Sequence, residues 1–175
     1  RGPVLFWQKR VGQWGREFPF PKFRSMVVNA EALKDQLLTE NQHGQSVTFK
    51  LKKDPRITWI GRLIRRTSID ELPQLWCILK GDMSLVGPRP HVPGMLAANM
   101  LYEDLVPYYF QRHTARPGIT GLAQVSGCRG STLDPRLAIA RIDHDLDYIA
   151  TWSLRMDVVI IFRTIRREFL SGSGS

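Results

Sequence analysis

Residues 134–170 decide the fold of this chain, and they read DPRLAIARIDHDLDYIATWSLRMDVVIIFRTIRREFL. The pair Asp134-Pro135 is typical of a helix start, because the acid caps free N–H groups and proline needs none in the first turn. Apolar residues then recur at helical spacing, and after residue 154 they lie opposite a row of arginines. The segment therefore predicts two amphipathic helices, with apolar faces at Ile139, Ile142, Leu146 and Ile149 and at Val158, Phe162, Ile165 and Phe169.

The residues before this segment predict a small β portion followed by further helices. The first two apolar runs lack a helical polar face, and Pro19 and Pro21 confine the second run to an edge strand. The expected strands lie at 3–10, 17–26 and 47–52, and the expected helices at 30–39, 57–66, about 68–79 and 95–106. The sequence thus predicts an α+β fold, a compact and mostly helical single domain over residues 1–170. Residues 171–175 (SGSGS) are expected to be a flexible tail or an expression scar.

The charge of the chain points toward phosphate. The 175 residues carry a formal net charge of +9, and arginine supplies 18 of the 25 cations. Arginine's planar fork matches phosphate oxygens two at a time, so a nucleic acid, an anionic membrane or a phosphorylated small molecule are candidate partners. Two cysteines are too few for a disulfide framework, the histidines lack zinc-ligand spacing, and no run of about 18 apolar residues predicts a membrane span.

Two carboxylates at a predicted helix start form the most informative motif, RRTSIDELPQL at 65–75. Ser68 with Glu71 three residues later fits a capping box, and Asp70 is an alternative cap that puts Pro73 in the first turn. At either position the helix dipole favours ionised Asp70 and Glu71. A carboxylate pair beside two arginines also fits a divalent cation and a phosphate. The residues alone leave capping and chemistry both open.

Other motifs are weaker. Arg89 lies between Pro88 and Pro90, and such a stiff loop suits a phosphate clamp, although a solvated arginine in a rigid connector explains it equally well. The KFR block at 22–24 and the RPGITG block at 116–121 are further candidates. Asp143, Asp145 and Asp147 do not share one helix face, so we expect a solvated polar face there.

These blocks together resemble the bacterial sugar transferase family of monotopic polyprenyl-phosphate phosphoglycosyl transferases. The resemblance runs in order along the chain to about residue 169. It is carried by PVLF at 3–6, KFRSM at 22–26, DPRIT at 54–58, the 65–75 motif, GDMSLVGPRP at 81–90, RPGITGLAQV at 116–125, DYI at 147–149, WSL at 152–154 and Asp157.

The resemblance implies a reaction and roles for individual residues. Such enzymes transfer a sugar-1-phosphate from a nucleotide sugar to polyprenyl phosphate, which begins assembly of an exopolysaccharide or another glycan. Asp70 would be the nucleophile that forms an aspartyl sugar-phosphate, with Mg²⁺ held at Asp70, and Glu71 would be its partner. Arg65 and Arg89 would bind phosphate, and Lys22 and Arg24 match a family block that is also expected to contact substrate.

The resemblance also implies a location at the cytoplasmic face of the bacterial inner membrane. Family members carry a hydrophobic re-entrant helix before the PVLF-like block, and we expect that anchor to be absent here. Residues 57–66 and 155–169 are basic and amphipathic, so they are expected to lie on anionic lipid. Expected partners are a nucleotide sugar (a UDP-hexose by resemblance), polyprenyl phosphate and anionic membrane, and a homo-oligomer is compatible with the sequence. Two other hypotheses are a basic nucleic-acid-binding module, which lacks aromatics interleaved with arginines, and a silent membrane scaffold, which the Asp70-Glu71 pair disfavours.

Overall fold

The computed structural model describes residues 2–33, 54–128 and 132–170. Within them the α+β fold class is confirmed, with small sheets and a majority of helix. The predicted strand at 47–52 and the tail at 171–175 lie outside the described residues. Of the predicted helix at 30–39, residues 30–33 are helical and the rest also lies outside them.

A β-hairpin begins the described chain. β1 (Leu5–Val11) pairs antiparallel with β2 (Glu17–Phe23), and the short 3₁₀ helix Gln13–Gly15 joins them. The register sets Lys9 opposite Pro19 and Arg10 opposite Phe18. Among the described residues this sheet has two strands, so both are edges there and the prolines of β2 lie in no inner hydrogen-bond ladder of the described part.

Helical structure follows, but not as the single helix expected over 68–79. α1 (Trp59–Arg66) is capped by Thr58, whose Oγ1 accepts from the amide of Gly61 at 2.9 Å. The predicted second helix is divided into a 3₁₀ helix, Ile69–Gln74, and α2 (Leu75–Lys80). Pro73 lies inside the 3₁₀ helix. Because proline has no N–H, it cannot donate the backbone hydrogen bond that a continuous α-helix would need at this position.

The remaining elements alternate short strands with helices. β3 (Ser84–Val86), β4 (Leu96–Ala97), β5 (Met100–Leu101) and α3 (Tyr102–Leu105) come first. The 3₁₀ helix Tyr109–Thr114, β6 (Gly118–Thr120) and α4 (Leu122–Val125) lead to α5 (Pro135–Thr151) and α6 (Leu154–Leu170). The two long helices confirm the prediction from residues 134–170, and the Asp134 carboxylate accepts from the amide of Arg136 as a cap.

The helix expected over 95–106 is wrong. Residues 96–101 form the small antiparallel hairpin of β4 and β5, and only Tyr102–Leu105 is helical. Ala98 and Asn99 both adopt positive φ, 50° and 65°, as a tight two-residue turn requires. The spacing of apolar residues in this segment is compatible with a helix and with a hairpin, and the turn at Ala98 and Asn99 produces the hairpin.

Three buried clusters form the core of the part of the chain that the structure describes. The hairpin contributes Phe18 and Phe20, which pack with Cys77 and Met83. The middle of the chain packs on α5, and β3 packs under α5 and α6. The members of these two clusters are Ala97, Tyr102, Val106, Tyr109, Ala138 and Ile142, and Val86, Tyr148 and Ile160.

The loop that carries Arg89 is fixed against β6. β3 and β6 are parallel, and the Pro88 carbonyl accepts from the amide of Gly118 at 2.9 Å. A Cβ at Gly118 would lie 2.2 Å from the backbone nitrogen of Gly87, and one at Gly87 would lie 2.4 Å from the Arg116 carbonyl oxygen. Glycine is required because the two backbones approach this closely, so the RPGITG block positions the loop of Arg89.

A buried ion pair corrects the expectation for the three aspartates of α5. Asp147 is exposed, and Asp143 accepts from the hydroxyl of Tyr108 at 2.7 Å near the surface. Asp145 is instead fully buried and accepts from Nη2 and Nε of Arg112 at 2.6 and 2.9 Å. Arg112 also donates to the backbone carbonyl of Arg89 at 2.8 Å. The pair therefore holds the Arg89 loop from the side of α5.

Candidate active site

The carboxylates of the 65–75 motif lie on the 3₁₀ helix Ile69–Gln74, which packs against β2. Ser68 precedes this helix with φ 54° and makes no side-chain cap hydrogen bond to it. Asp70 is buried within the helix instead of starting one. Neither predicted capping role is therefore adopted, and the side chains of Asp70 and Glu71 are left for other contacts.

Glu71 is held by cations from two other parts of the chain. The Lys22 ammonium of β2 donates to Oε1 at 2.8 Å, and Arg89 pairs with the same oxygen through Nη2 while its Nη1 reaches Oε2 at 3.3 Å. Burial by itself raises the pKa of Glu71, but the charges and hydrogen bonds of Arg89 and Lys22 outweigh it and hold the pKa far below its usual range. Glu71 is thus a fixed anion.

Asp70 has the opposite environment. Its carboxylate is buried, and Oδ1 has no hydrogen-bond partner among the described residues. Burial raises the pKa of Asp70, and the negative charge of Glu71 adds to the rise, whereas the charges of Lys22 and Arg65 oppose it. A carboxylate oxygen without a partner is more basic and more nucleophilic than one that accepts several hydrogen bonds. Asp70 thus keeps a buried carboxylate oxygen that is available for a further contact.

The other predicted site residues separate into two groups. Lys22 and Arg89 meet at Glu71, and Arg65 acts on Asp70 through its charge. Arg24 does not join them: its Nε donates to the Pro3 carbonyl at 2.8 Å, and its guanidinium lies over the ring of Phe6. The structure therefore gives Arg24 a role in fixing the start of β1.

Two residues that the sequence analysis did not single out border the site. Gln74 follows Asp70 on the same 3₁₀ helix, is fully buried, and has no partner for either amide atom among the described residues. Arg10 of β1 donates to the Pro90 carbonyl at 3.2 Å, beside Arg89. The strand period of two could have indicated Arg10. Phe6 lies opposite Lys22 in the register, and Arg10 falls on the same face of the hairpin as Phe6.

The donor set around Asp70 fits a magnesium ion. Within the described ranges no group of three or more acidic, histidine or cysteine side chains could enclose a metal. Mg²⁺ is, however, usually held by one or two carboxylates together with substrate phosphates and water. Oδ1 of Asp70 is available for such a contact, whereas both oxygens of Glu71 are occupied by Lys22 and Arg89.

Comparison with known proteins matches residues 1–171 to the bacterial sugar transferases. The chain belongs to the bacterial sugar transferase family. This transferase is 50% identical over 173 residues to an exopolysaccharide production protein, PSS, from Rhizobium leguminosarum, covering 99% of this chain and 81% of the relative. It is 48% identical over 166 residues to a UDP-glucose:undecaprenyl-phosphate glucose-1-phosphate transferase from Xanthomonas campestris, and 46% identical over 168 residues to an undecaprenyl-phosphate galactose phosphotransferase from Salmonella typhimurium.

The extent of these matches differs between relatives. The Xanthomonas and Salmonella comparisons cover 95% and 94% of this bacterial sugar transferase but only 31% and 33% of the relatives. The family predicted from the sequence blocks is confirmed.

The opposite environments of the two carboxylates give opposite effects on stability. We expect Glu71→Gln to lower the free energy of unfolding by about 2–4 kcal/mol at pH 7, because Lys22 and Arg89 lose their anion. Asp70→Asn should leave it within about 1 kcal/mol or raise it, since a pKa above the unfolded value means that ionisation of Asp70 costs stability. Urea unfolding of each variant measures both changes.

The pH dependence of the free energy of unfolding tests whether ionised Glu71 stabilises the fold. The stabilising contribution of ionised Glu71 is fully present above the unfolded pKa of about 4.3 and is lost as the pH falls below it. The difference in free energy of unfolding between the wild type and Glu71→Gln should therefore become smaller at acidic pH. Glu103→Gln, at an exposed position, is the matched control. Equal destabilisation by Asp70→Asn and Glu71→Gln would show that both carboxylates are structural.

Proposed function

We propose that this domain transfers a sugar-1-phosphate from a UDP-sugar to polyprenyl phosphate through a covalent intermediate on Asp70. The observation that supports the proposal is the difference in environment between the carboxylates of Asp70 and Glu71. Glu71 is bound by two cations, whereas Asp70 keeps an unpartnered carboxylate oxygen in a buried position. Two neighbouring carboxylates whose environments push their pKa values apart are typical of groups with different catalytic roles.

In the first half-reaction a carboxylate oxygen of Asp70 attacks the phosphorus that is bonded to the sugar oxygen. A P–O bond forms to Asp70, the bond to the bridging diphosphate oxygen breaks, and UMP leaves with that electron pair. In the second half-reaction a phosphate oxygen of polyprenyl phosphate attacks the same phosphorus. The acyl phosphate bond breaks, the Asp70 carboxylate is restored, and the sugar is left on a polyprenyl diphosphate. Each step exchanges one P–O bond for another, so no oxidant or reductant is needed.

The cations around the pair provide the electrostatic part of this chemistry. Phosphoryl transfer depends on positioning and on neutralising charge at the phosphorus and the leaving group. Arg89 and Lys22 are held in place by Glu71, and Arg65 adds its charge near Asp70. We assign to these side chains the binding of donor and acceptor phosphates. The Asp70 carboxylate, together with substrate phosphate oxygens, would hold a Mg²⁺ ion, and that ion would supply neutralisation of the negative charge on the leaving group.

The substrates of this proposal come from the relatives. The names of the Xanthomonas and Salmonella proteins specify undecaprenyl phosphate as acceptor and glucose or galactose as the sugar. The relative from Rhizobium is named for exopolysaccharide production. We therefore assign a hexose-1-phosphate donor and a role at the start of exopolysaccharide assembly.

Isotope exchange without acceptor tests the covalent mechanism. Labelled UMP should exchange into a UDP-hexose when polyprenyl phosphate is absent, because the first half-reaction is reversible and needs no lipid. We expect exchange in the wild type and a loss of at least about 10³-fold in Asp70→Asn, since an amide cannot form the acyl phosphate. UDP-glucose and UDP-galactose are the donors to test.

Asp104→Asn, on the exposed surface of α3, is the matched control and should exchange at the wild-type rate. Exchange that appears only when polyprenyl phosphate is added would point to a direct transfer with no enzyme intermediate. Wild-type exchange by Asp70→Asn would remove Asp70 from the role of nucleophile.

We also propose that one surface of the domain lies on anionic lipid. No helix among the described residues is long and apolar enough to cross a membrane. α1, α2 and the 3₁₀ helix between them nevertheless expose a set of large apolar side chains, here called the apolar face, next to exposed Arg62 and Arg66. The apolar face consists of Trp59, Ile60, Leu63, Leu72, Leu75, Trp76 and Leu79. It adjoins the Asp70-Glu71 pair, where a lipid-borne phosphate must arrive.

Vesicle binding tests the apolar face. We expect binding to vesicles that contain phosphatidylglycerol and weaker binding as salt rises, because each cation near an anionic surface contributes about 1 kcal/mol. Arg62→Gln with Arg66→Gln should weaken sedimentation with these vesicles, whereas Arg136→Gln on α5 should not. Equal binding to pure phosphatidylcholine vesicles, unchanged by the double variant, would contradict the role of charge.

A further inference from the structure

Arg10 is a partly buried cation without a carboxylate of its own. Its side chain donates to the Pro90 carbonyl at 3.2 Å and to Oε1 of Gln8 at 2.8 Å. Its Nε is buried and has no hydrogen-bond partner among the described residues, and no acidic side chain there forms an ion pair with it. A buried charge that lacks a counter-ion is costly, so such a cation indicates a missing anion.

Arg10 belongs to the same electrostatic cluster as the candidate active site. The guanidinium carbon of Arg10 lies 5.2 Å from the ring centroid of Phe20, and the Lys22 ammonium lies 5.7 Å from the same centroid. The pKa of Arg10 is lowered to about 10, first by burial and then by the nearby charge of Arg89, while the charge of Glu71 opposes the shift. The hairpin therefore presents two cations, Arg10 and Lys22, around Glu71.

The charges of this cluster do not balance. Arg10, Lys22, Arg65 and Arg89 are four cations that act on two carboxylates, Asp70 and Glu71. The excess of two positive charges equals the charge of a fully ionised phosphate monoester, and it also equals the total charge of a nucleotide-sugar diphosphate. A phosphate in this position would also find the Arg89 loop already fixed, because Arg10 and Arg112 hold the carbonyls of Pro90 and Arg89.

We infer that Arg10 is a binding residue for a phosphate or diphosphate that carries two negative charges on the ligand at this site. The inference rests on the proposed function for the identity of the natural ligand, which is either the donor or the lipid acceptor. The alternative is that Arg10 only fastens the Arg89 loop through the Pro90 carbonyl. Charge distinguishes the two, because a lysine keeps the charge but not the planar fork, whereas a glutamine keeps a donor but not the charge.

Pyrophosphate binding, measured by calorimetry at two salt concentrations, tests this inference without turnover. We expect Arg10→Gln to weaken pyrophosphate binding by at least about tenfold and to flatten its salt dependence. Arg10→Lys should weaken it by no more than about threefold. Arg16→Gln, which removes the same charge from an exposed position of the same hairpin, should leave it unchanged. Thermal unfolding of each variant verifies that the fold is retained.

Wild-type pyrophosphate affinity in Arg10→Gln would overturn the inference. Equal losses in Arg10→Gln and Arg10→Lys, together with a lowered melting temperature, would also overturn it, in favour of the loop-fastening role. UMP and farnesyl phosphate, titrated separately, assign the site to donor or acceptor according to which one Arg10→Gln weakens. If isotope exchange is never observed but Arg10→Gln still weakens pyrophosphate binding, the covalent mechanism is wrong, whereas the role of Arg10 in binding phosphate is retained.

Discussion

The ion pairs of Glu71 join the parts of the chain that form the site. Lys22 comes from the hairpin, Arg89 from the loop after β3, and Glu71 from the 3₁₀ helix between them. In a partly buried position such pairs are screened little by solvent, so each side chain fixes the others. Without Glu71 the two cations would repel each other, and the hairpin would lose its ion pair to the helix. The proposed role of Asp70 depends on this arrangement, because Lys22 and Arg89 donate their hydrogen bonds to Glu71.

The scaffold around these pairs restricts the position of Arg89 from several sides. The parallel strands β3 and β6 bring Gly87 and Gly118 into backbone contact, and the buried Arg112–Asp145 pair adds a hydrogen bond to the Arg89 carbonyl. A cation that binds phosphate is most effective when its position is fixed before the ligand arrives. Asp145 thus helps to position Arg89 through Arg112, although Asp145 lies on α5, far along the chain from the carboxylate pair.

The sequence predicted those features whose determinants are local. Asp134-Pro135 marked the start of α5, and the prolines of β2 marked an edge strand, because capping and the lack of an N–H act within a few residues. The family blocks indicated Asp70 and Glu71 as a pair and Arg65, Arg89, Lys22 and Arg24 as binding residues, and of these Arg24 lies apart from the pair.

Features that depend on distant partners could not be predicted. The burial of Asp145 requires Arg112, which is 33 residues away, and Asp70 is buried where its 3₁₀ helix packs against β2. The turn at Ala98 and Asn99 was missed because an apolar period of this length fits both a helix and a hairpin.

The most direct measurement is the location of the covalent adduct. Wild-type protein is mixed with UDP-hexose in the absence of polyprenyl phosphate, quenched rapidly, digested and mapped by tandem mass spectrometry. We expect one added sugar-phosphate on the peptide that contains both carboxylates, with fragment ions that place it on Asp70. An adduct on Glu71 would contradict the division of roles between the two carboxylates, and so would the absence of any adduct in protein that transfers sugar-phosphate to the lipid.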